Sequence, residues 1–192
     1  LVKAGHRVAI CDQLEDPKLA KGVVKRGVTD MVTPGTTVND KLLEHHSNNF
    51  LAAIHFAEND QFGLAFLDIS TGEFLTAQGN AAYIDKLLQN FKPSEILFQK
   101  NKHKEFIQQH GDQFYTYTLE EWIFQYDYTS ENLRKHFGTN SLKGFGIEHL
   151  HLGIIAAGAI LHYLKDTEHP HLGHVRCELR HRAWQLRARG LP

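Results

Sequence analysis

The chain has 192 residues, 42% hydrophobic and 22% charged, which suits one well-cored domain or a domain with an attached fragment and excludes a disordered chain. Net charge is -1 with the histidines neutral, so no global field recruits nucleic acid, although the 14 histidines make the charge climb in acid. The two cysteines, Cys11 and Cys177, lie far apart, and the apolar run 152–161 falls short of the roughly 20 residues of a membrane span; a reducing, cytoplasmic setting away from membranes is expected.

The start, LVKAGHRVAIC, has neither an initiator Met nor the basic-then-apolar pattern of a signal peptide, and is expected to lie inside a longer protein. LVKAG reads as the last turn of a helix closed by Gly5, which tolerates a left-handed C-cap. RVAIC (7–11) reads as a buried strand with Cys11 packed as a small hydrophobe. Pro17 opens a loop, residues 23–33 form a second strand, and Pro34-Gly35 turns the chain. Residues 37–48 keep no sustained period and read as a linker.

At Phe50 the pattern changes. LAAIHFA, FGLAFLDIS and EFLTAQ, separated by ENDQ and Ser70-Thr71-Gly72, predict an antiparallel meander. Asn80 is the expected N-cap of AAYIDKLLQNF, which places Ile84, Leu87, Leu88 and Phe91 on one face before Pro93. EILFQ is a fourth strand, NKHKEFIQQH a short helix ended by Gly111, and FYTYT a fifth strand. LEEWIF and TSENLRKHF are helical, the latter stopped by Gly138. In 148–165, Leu150, Ile154, Ala157, Leu161 and Leu164 follow helical spacing, while LGIIAAGAIL is apolar all round and predicts a central helix. Gly153 and Ala157, one turn apart, are expected to admit a neighbouring backbone. One mixed sheet of about five strands, with parallel right-handed crossovers, satisfies this order.

The carboxylates of FLDISTGEF (66–74) pose the main chemical question. Two-metal phosphodiester hydrolysis needs several convergent carboxylates to balance and fix the metals. Beside Asp68 and Glu73 the sequence offers Glu95, then Glu105, and an Asp85 adjacent to Lys86. That set is incomplete, so Asp68 is expected to cap its turn; a metal-dependent nuclease using Asp68 is the competing reading. His169, His171, His174 and Cys177 fit no common zinc spacing, and no metal site is predicted. Arg176, Arg180, Arg182, Arg187 and Arg189 around Trp184 read as a solvated end. No GxxxxGK[ST] phosphate loop occurs, so neither catalytic residues nor a cofactor are assigned to this chain. In TSENLRKHF, Leu133 and Phe137 point inward, leaving Glu131, Asn132, Arg134 and Lys135 largely outward, a mixed-charge face able to steer a partner.

Several motifs now fall in register: GHRVAICDQLEDP (5–17), VTPGT (32–36), FLAAI (50–54), LDISTGEF (67–74), FGTNSLKGFGIE (137–148) and AAGAILHYLKDT (156–167). Together they resemble the MutS family of bacterial DNA mismatch-repair proteins over residues 1–174. The resemblance implies an α/β fold: a ribonuclease H-like mixed sheet of about five strands with flanking helices, preceded by a small fragment of an α+β domain. It divides the chain into the C-terminal part of a mismatch-recognition domain (1–36), a linker (37–48), a connector domain (49–174) and a divergent or artificial tail (175–192). It implies a mechanical role, coupling mismatch recognition to an ATPase elsewhere, and a docking surface for the partner MutL. Glu131, Asn132, Arg134 and Lys135 are the residues assigned to that surface. The parent protein is then expected to be a homodimer that binds mismatched DNA and uses ATP and Mg. Gly27 and Asp30 stand in KRGVTDMVTPGT where the family tends to be basic, which argues against a DNA-backbone role for that strand.

Overall fold

The structure, a computed structural model, describes residues 1–16, 18, 22–37, 48–167 and 180–181. The chain opens with a single 3-10 turn, Val2–Ala4, closed by Gly5 at φ 81. A two-stranded antiparallel hairpin follows, β1 (Val8–Gln13) with β2 (Arg26–Val32), with a register shift between Ile10 and Cys11. The expected burial of this strand is corrected. Cys11 is exposed, as are Ile10 (41%), Leu14 (62%) and Val28 (47%), because β1 pairs only with β2 and has no second layer over it among the described residues.

The meander forms as expected: β3 (Phe50–Phe56), β4 (Phe62–Asp68) and β5 (Glu73–Gly79) are antiparallel neighbours. After α1 (Ala81–Phe91), β6 (Glu95–Gln99) returns parallel to β3. After α2 (His103–His110), β7 (Thr116–Leu119) lies parallel to β6. β8 (Arg180–His181) adds parallel to β5, giving the order β7-β6-β3-β4-β5-β8. So part of the expected solvated tail has a backbone partner. The remainder, with His169, His171, His174, Cys177 and most of the linker, lies outside the described residues.

Side chains alternate between two cores. Leu51, Ala53, Ala65 and Leu67 pack with α3 (Tyr126–Phe137) and α4 (His151–Asp166). Phe50, Ala52, Ile54, Leu64 and Phe66 pack with α1 and α2 on the other face. Double coverage explains why the central strands read as apolar runs without polar alternation. Asn80 caps α1 as predicted, its Oδ1 accepting from the Tyr83 N–H at 3.0 Å. α3 starts three residues before the expected Thr129.

α4 is central, with every residue from 153 to 161 buried. The small residues that admit its neighbours differ from the expected pair. Gly153 faces Thr76 and Ala77 of β5, but Gly158, rather than Ala157, meets α3, where a Cβ would sit 2.3 Å from Thr129 Cβ. Five residues turn a helix by about 140°, so the two glycines serve opposite sides of a helix wedged between sheet and α3. Gly63 completes the fit, since a Cβ there would lie 1.9 Å from the Leu152 carbonyl oxygen.

Two predictions follow from this core. Ile154 and Leu161 are fully buried, so Leu161→Ala should lower unfolding free energy by about 2–5 kcal/mol in a denaturant titration, through lost transfer energy and a cavity. An unchanged midpoint would place the helix elsewhere. The second concerns His55, stacked on Phe124 at 5.8 Å. Gln99 Oε1 accepts from the Phe56 N–H, which turns its Nε2 toward His55 Nδ1 at 2.8 Å, and a donor there requires an unprotonated nitrogen. Burial pushes the imidazole pKa down to about 4. Since the folded value lies below the unfolded one, stability is full above about pH 6.5 and falls as pH drops toward 4, by on the order of 3 kcal/mol for this group. Thermal melts between pH 7.5 and 4.5 should show the decline, and His55→Gln should make it shallower, the remainder coming from His110 and His162, which burial also shifts downward.

Candidate functional site

The residue that gathers most around it is Glu95, at the start of β6 and 2% exposed. Its Oε2 accepts from Thr33 Oγ1 at 2.5 Å and from the Gly35 N–H at 3.0 Å. Its Oε1 accepts from the Tyr163 hydroxyl of α4 at 2.7 Å. Burial, then the Glu95 carboxylate, hold the Tyr163 phenol well above its ordinary pKa, so it remains a donor. The donors reach Glu95 because the 3-10 turn Pro34–Thr36 is self-tied: the Thr33 N–H donates to Thr36 Oγ1 at 2.9 Å, and Thr37 Oγ1 donates to the Thr33 carbonyl at 2.9 Å. Asn49 grips the same turn, donating to the Pro34 and Thr37 carbonyls at 2.9 and 3.2 Å. Gly35 is needed for closeness alone, since a Cβ would lie 2.9 Å from both Glu95 Cβ and Leu51 Cδ1.

A second contact stands beside the first. The Arg7 guanidinium lies 3.9 Å over the Tyr117 ring of β7 and 5.6 Å from the Tyr163 ring, and its field acts on Glu95. Gly5 sits against Tyr115, where a Cβ would lie 1.8 Å from the ring. The sequence presents Glu95 only as a candidate metal ligand and Gly35 only as part of a turn, and it gives Thr33, Arg7 and Tyr163 no site role. The available signals were a carboxylate opening an apolar strand and hydroxyls on both sides of Pro34-Gly35.

Asp68 caps its turn. Its Oδ1 accepts from the Ser70 N–H at 2.9 Å, Ser70 Oγ at 2.6 Å and the Thr71 N–H at 3.4 Å, while its buried Oδ2 has no hydrogen-bond partner among the described residues. The carboxylates do not converge. Asp68 pairs with Phe50, on the α1 face, whereas Glu95 pairs with Leu51, on the α4 face. Period-two alternation therefore puts them on opposite sides of the sheet. Among the described residues no three His, Cys, Asp or Glu side chains group to hold a metal.

On α3, Glu131, Arg134 and Lys135 are exposed. Lys135 Nζ lies 2.7 Å from Glu131 Oε1, one turn away, and its hydrogen bond and charge lower the Glu131 pKa. Arg134 Nε donates back to the Ser130 carbonyl at 3.3 Å. With Gly138, Thr139 and Asn140 these side chains line an open depression of about 450 Å³. Asn132 departs from its expected outward direction: it is half-buried, and its Oδ1 accepts from Lys165 Nζ of α4 at 3.5 Å. An aromatic patch that the sequence does not announce lies near the start of α3. Trp122, 55% exposed, packs edge-on to Tyr128 and His162 with centroids 5.1 and 5.4 Å away.

This geometry defines an α/β domain, helix-covered on both faces, with a hairpin segment docked at one end through a buried carboxylate. Comparison places it more closely. Residues 1–41 match the family described as MutS domain I, and residues 49–176 match MutS domain II. The DNA mismatch repair protein MutS of Cytophaga hutchinsonii and that of Flavobacterium johnsoniae are each 62% identical over 91% of this chain. The Bacteroides fragilis protein of the same name is 57% identical over the same share. The chain belongs to the MutS family; it spans 20% of the length of each of these relatives.

The turn geometry gives a direct test of Asp68. Asp68→Ala should cost about 1.5–3 kcal/mol through the lost charge-assisted hydrogen bonds to Ser70 and Thr71, measured by chemical denaturation. Single- and double-stranded DNA should remain intact in magnesium or manganese. Metal-dependent cleavage by the parent chain that vanishes in Asp68→Asn would instead restore the nuclease reading.

Proposed function

We propose that this chain is a connector region, coupling a mismatch-recognition domain to an ATPase-bearing remainder and offering a docking face to MutL. The observation that carries the reading is the burial of the 33–37 turn on Glu95. The segment matching domain I is hydrogen-bonded into the sheet of the segment matching domain II, with Thr33, Gly35, Thr36 and Thr37 all buried. A fold of ribonuclease H type is supported by an antiparallel meander extended by two parallel strands beside its first strand. On this reading the fold is used as a scaffold, and ATP, Mg, mismatched DNA and the homodimer interface belong to other parts of the longer, cytoplasmic protein. The separation of Asp68 from Glu95 gives the nuclease alternative no support.

The docking face is α3. Glu131, Arg134 and Lys135 are free of the core, and exposed ion pairs are worth only about 0–1 kcal/mol to folding. Asn132 contributes less than the sequence suggested, since it turns toward Lys165. Trp122, packed on Tyr128 of α3, supplies an exposed aromatic of the kind enriched at binding hot spots. Reversing Arg134 and Lys135 to Glu should leave the melting temperature nearly unchanged. It should weaken MutL binding mainly through the association rate, more at low salt than at moderate salt. Surface-based titration of MutL against parent and double variant at two salt concentrations reads this out. Equal affinities at low salt would move the docking site off α3.

A further inference from the structure

We infer that Glu95 and Arg7 are positioning residues that clamp the hairpin of residues 1–37 onto the sheet at two points, so that hairpin and connector behave as one rigid body. The inference rests on the connector reading and sharpens it: coupling is by a stiff joint rather than a flexible tether.

The geometry is that of a clamp at the root of a hairpin. Val8 and Val32 are paired, so Arg7 and Thr33 leave the two strands of the hairpin side by side at the same end. One root is fixed by Thr33 and Gly35 on Glu95, at the start of β6. The other is fixed by Arg7 on Tyr117, on the neighbouring strand β7. A single contact leaves the hairpin free to swivel about it. Two contacts on adjacent strands remove that axis, and Gly5 against Tyr115 closes the remaining gap. Tyr163 joins both points, since its hydroxyl donates to Glu95 and its ring lies 5.6 Å from the Arg7 guanidinium. Displacement of the hairpin is therefore delivered to the last turn of α4. That turn also carries His162, bonded to Tyr128 at 2.6 Å, and Lys165, bonded to Asn132, so the joint and α3 share one helical turn.

The test needs no MutL, so its failure is distinct from a failure of the docking reading. In a Cys177→Ser background, the exposed Cys11 of β1 and a Gln89→Cys on the outer face of α1 carry nitroxide labels. Pulsed electron resonance then reads the distance distribution between hairpin and connector. The parent chain should give one narrow distribution. Thr33→Val combined with Arg7→Ala should lose the single narrow peak at temperatures where circular dichroism shows the domain folded. Thr33→Ser, which keeps the hydroxyl, should restore it when Arg7 is present. Gly35→Ala is an independent variant, because its Cβ would collide with Glu95 and Leu51 and push the turn off. A broad distribution in the parent overturns the clamp, as does a parent-like peak in both Thr33→Val/Arg7→Ala and Gly35→Ala.

Discussion

Burying the carboxylate of Glu95 imposes the main constraint on this molecule. A carboxylate out of water is costly unless every lone pair meets a donor and a cation stands near. Here three donors come from two places far apart in sequence: the Thr33 hydroxyl and the Gly35 N–H of the turn after β2, and the Tyr163 hydroxyl at the far end of α4. The cation, Arg7, comes from the segment before β1. None of these groups satisfies the carboxylate alone, so the hairpin, the sheet and α4 must be placed together. Removing one donor from a buried carboxylate typically costs about 1–3 kcal/mol, because the oxygen left behind keeps its desolvation penalty.

The same constraint explains why α4 is packed so closely. Tyr163 reaches Glu95 only if the last turn of α4 lies over the starts of β3 and β6, which requires the helix to sit low on the sheet. Gly63 and Gly153 allow that at the other end, where a Cβ would strike the Leu152 carbonyl in the first case and the Thr76 hydroxyl in the second. Gly158 lets α3 settle on the outer side of α4. The apolar sequence of α4 follows from contact on both sides; a helix on the outside of a sheet needs only one apolar stripe.

Much of the architecture was legible because periodicity reports burial. The meander, the Asn80 cap and the central helix each have a local cause in the sequence. The hairpin misleads for the same reason: VAIC looks like a core strand, yet its burial depends on what lies over it, and among the described residues β1 has only β2 as a partner. On α3 the charges were placed correctly for Glu131, Arg134 and Lys135, since helical spacing from Leu133 and Phe137 decides them. Asn132 was not, because its direction depends on Lys165, a residue 33 positions away. Glu95 shows the limit most clearly. A carboxylate heading an apolar strand was weighed only as a metal ligand, since its actual donors become neighbours only after the sheet and α4 assemble.

Among the described residues, the acidic side chains of the strands do not converge on one another. Metal chemistry on a sheet requires carboxylates on one face, which means the same parity along neighbouring strands. Asp68 and Glu95 have opposite parity relative to β3, being paired with Phe50 and Leu51. Each is then used locally, Asp68 to close a turn through Ser70 and Glu95 to receive the 33–37 turn. The parity difference leaves the α4 face free to hold a second segment of the chain, and the buried carboxylate takes donors both from that segment and from α4.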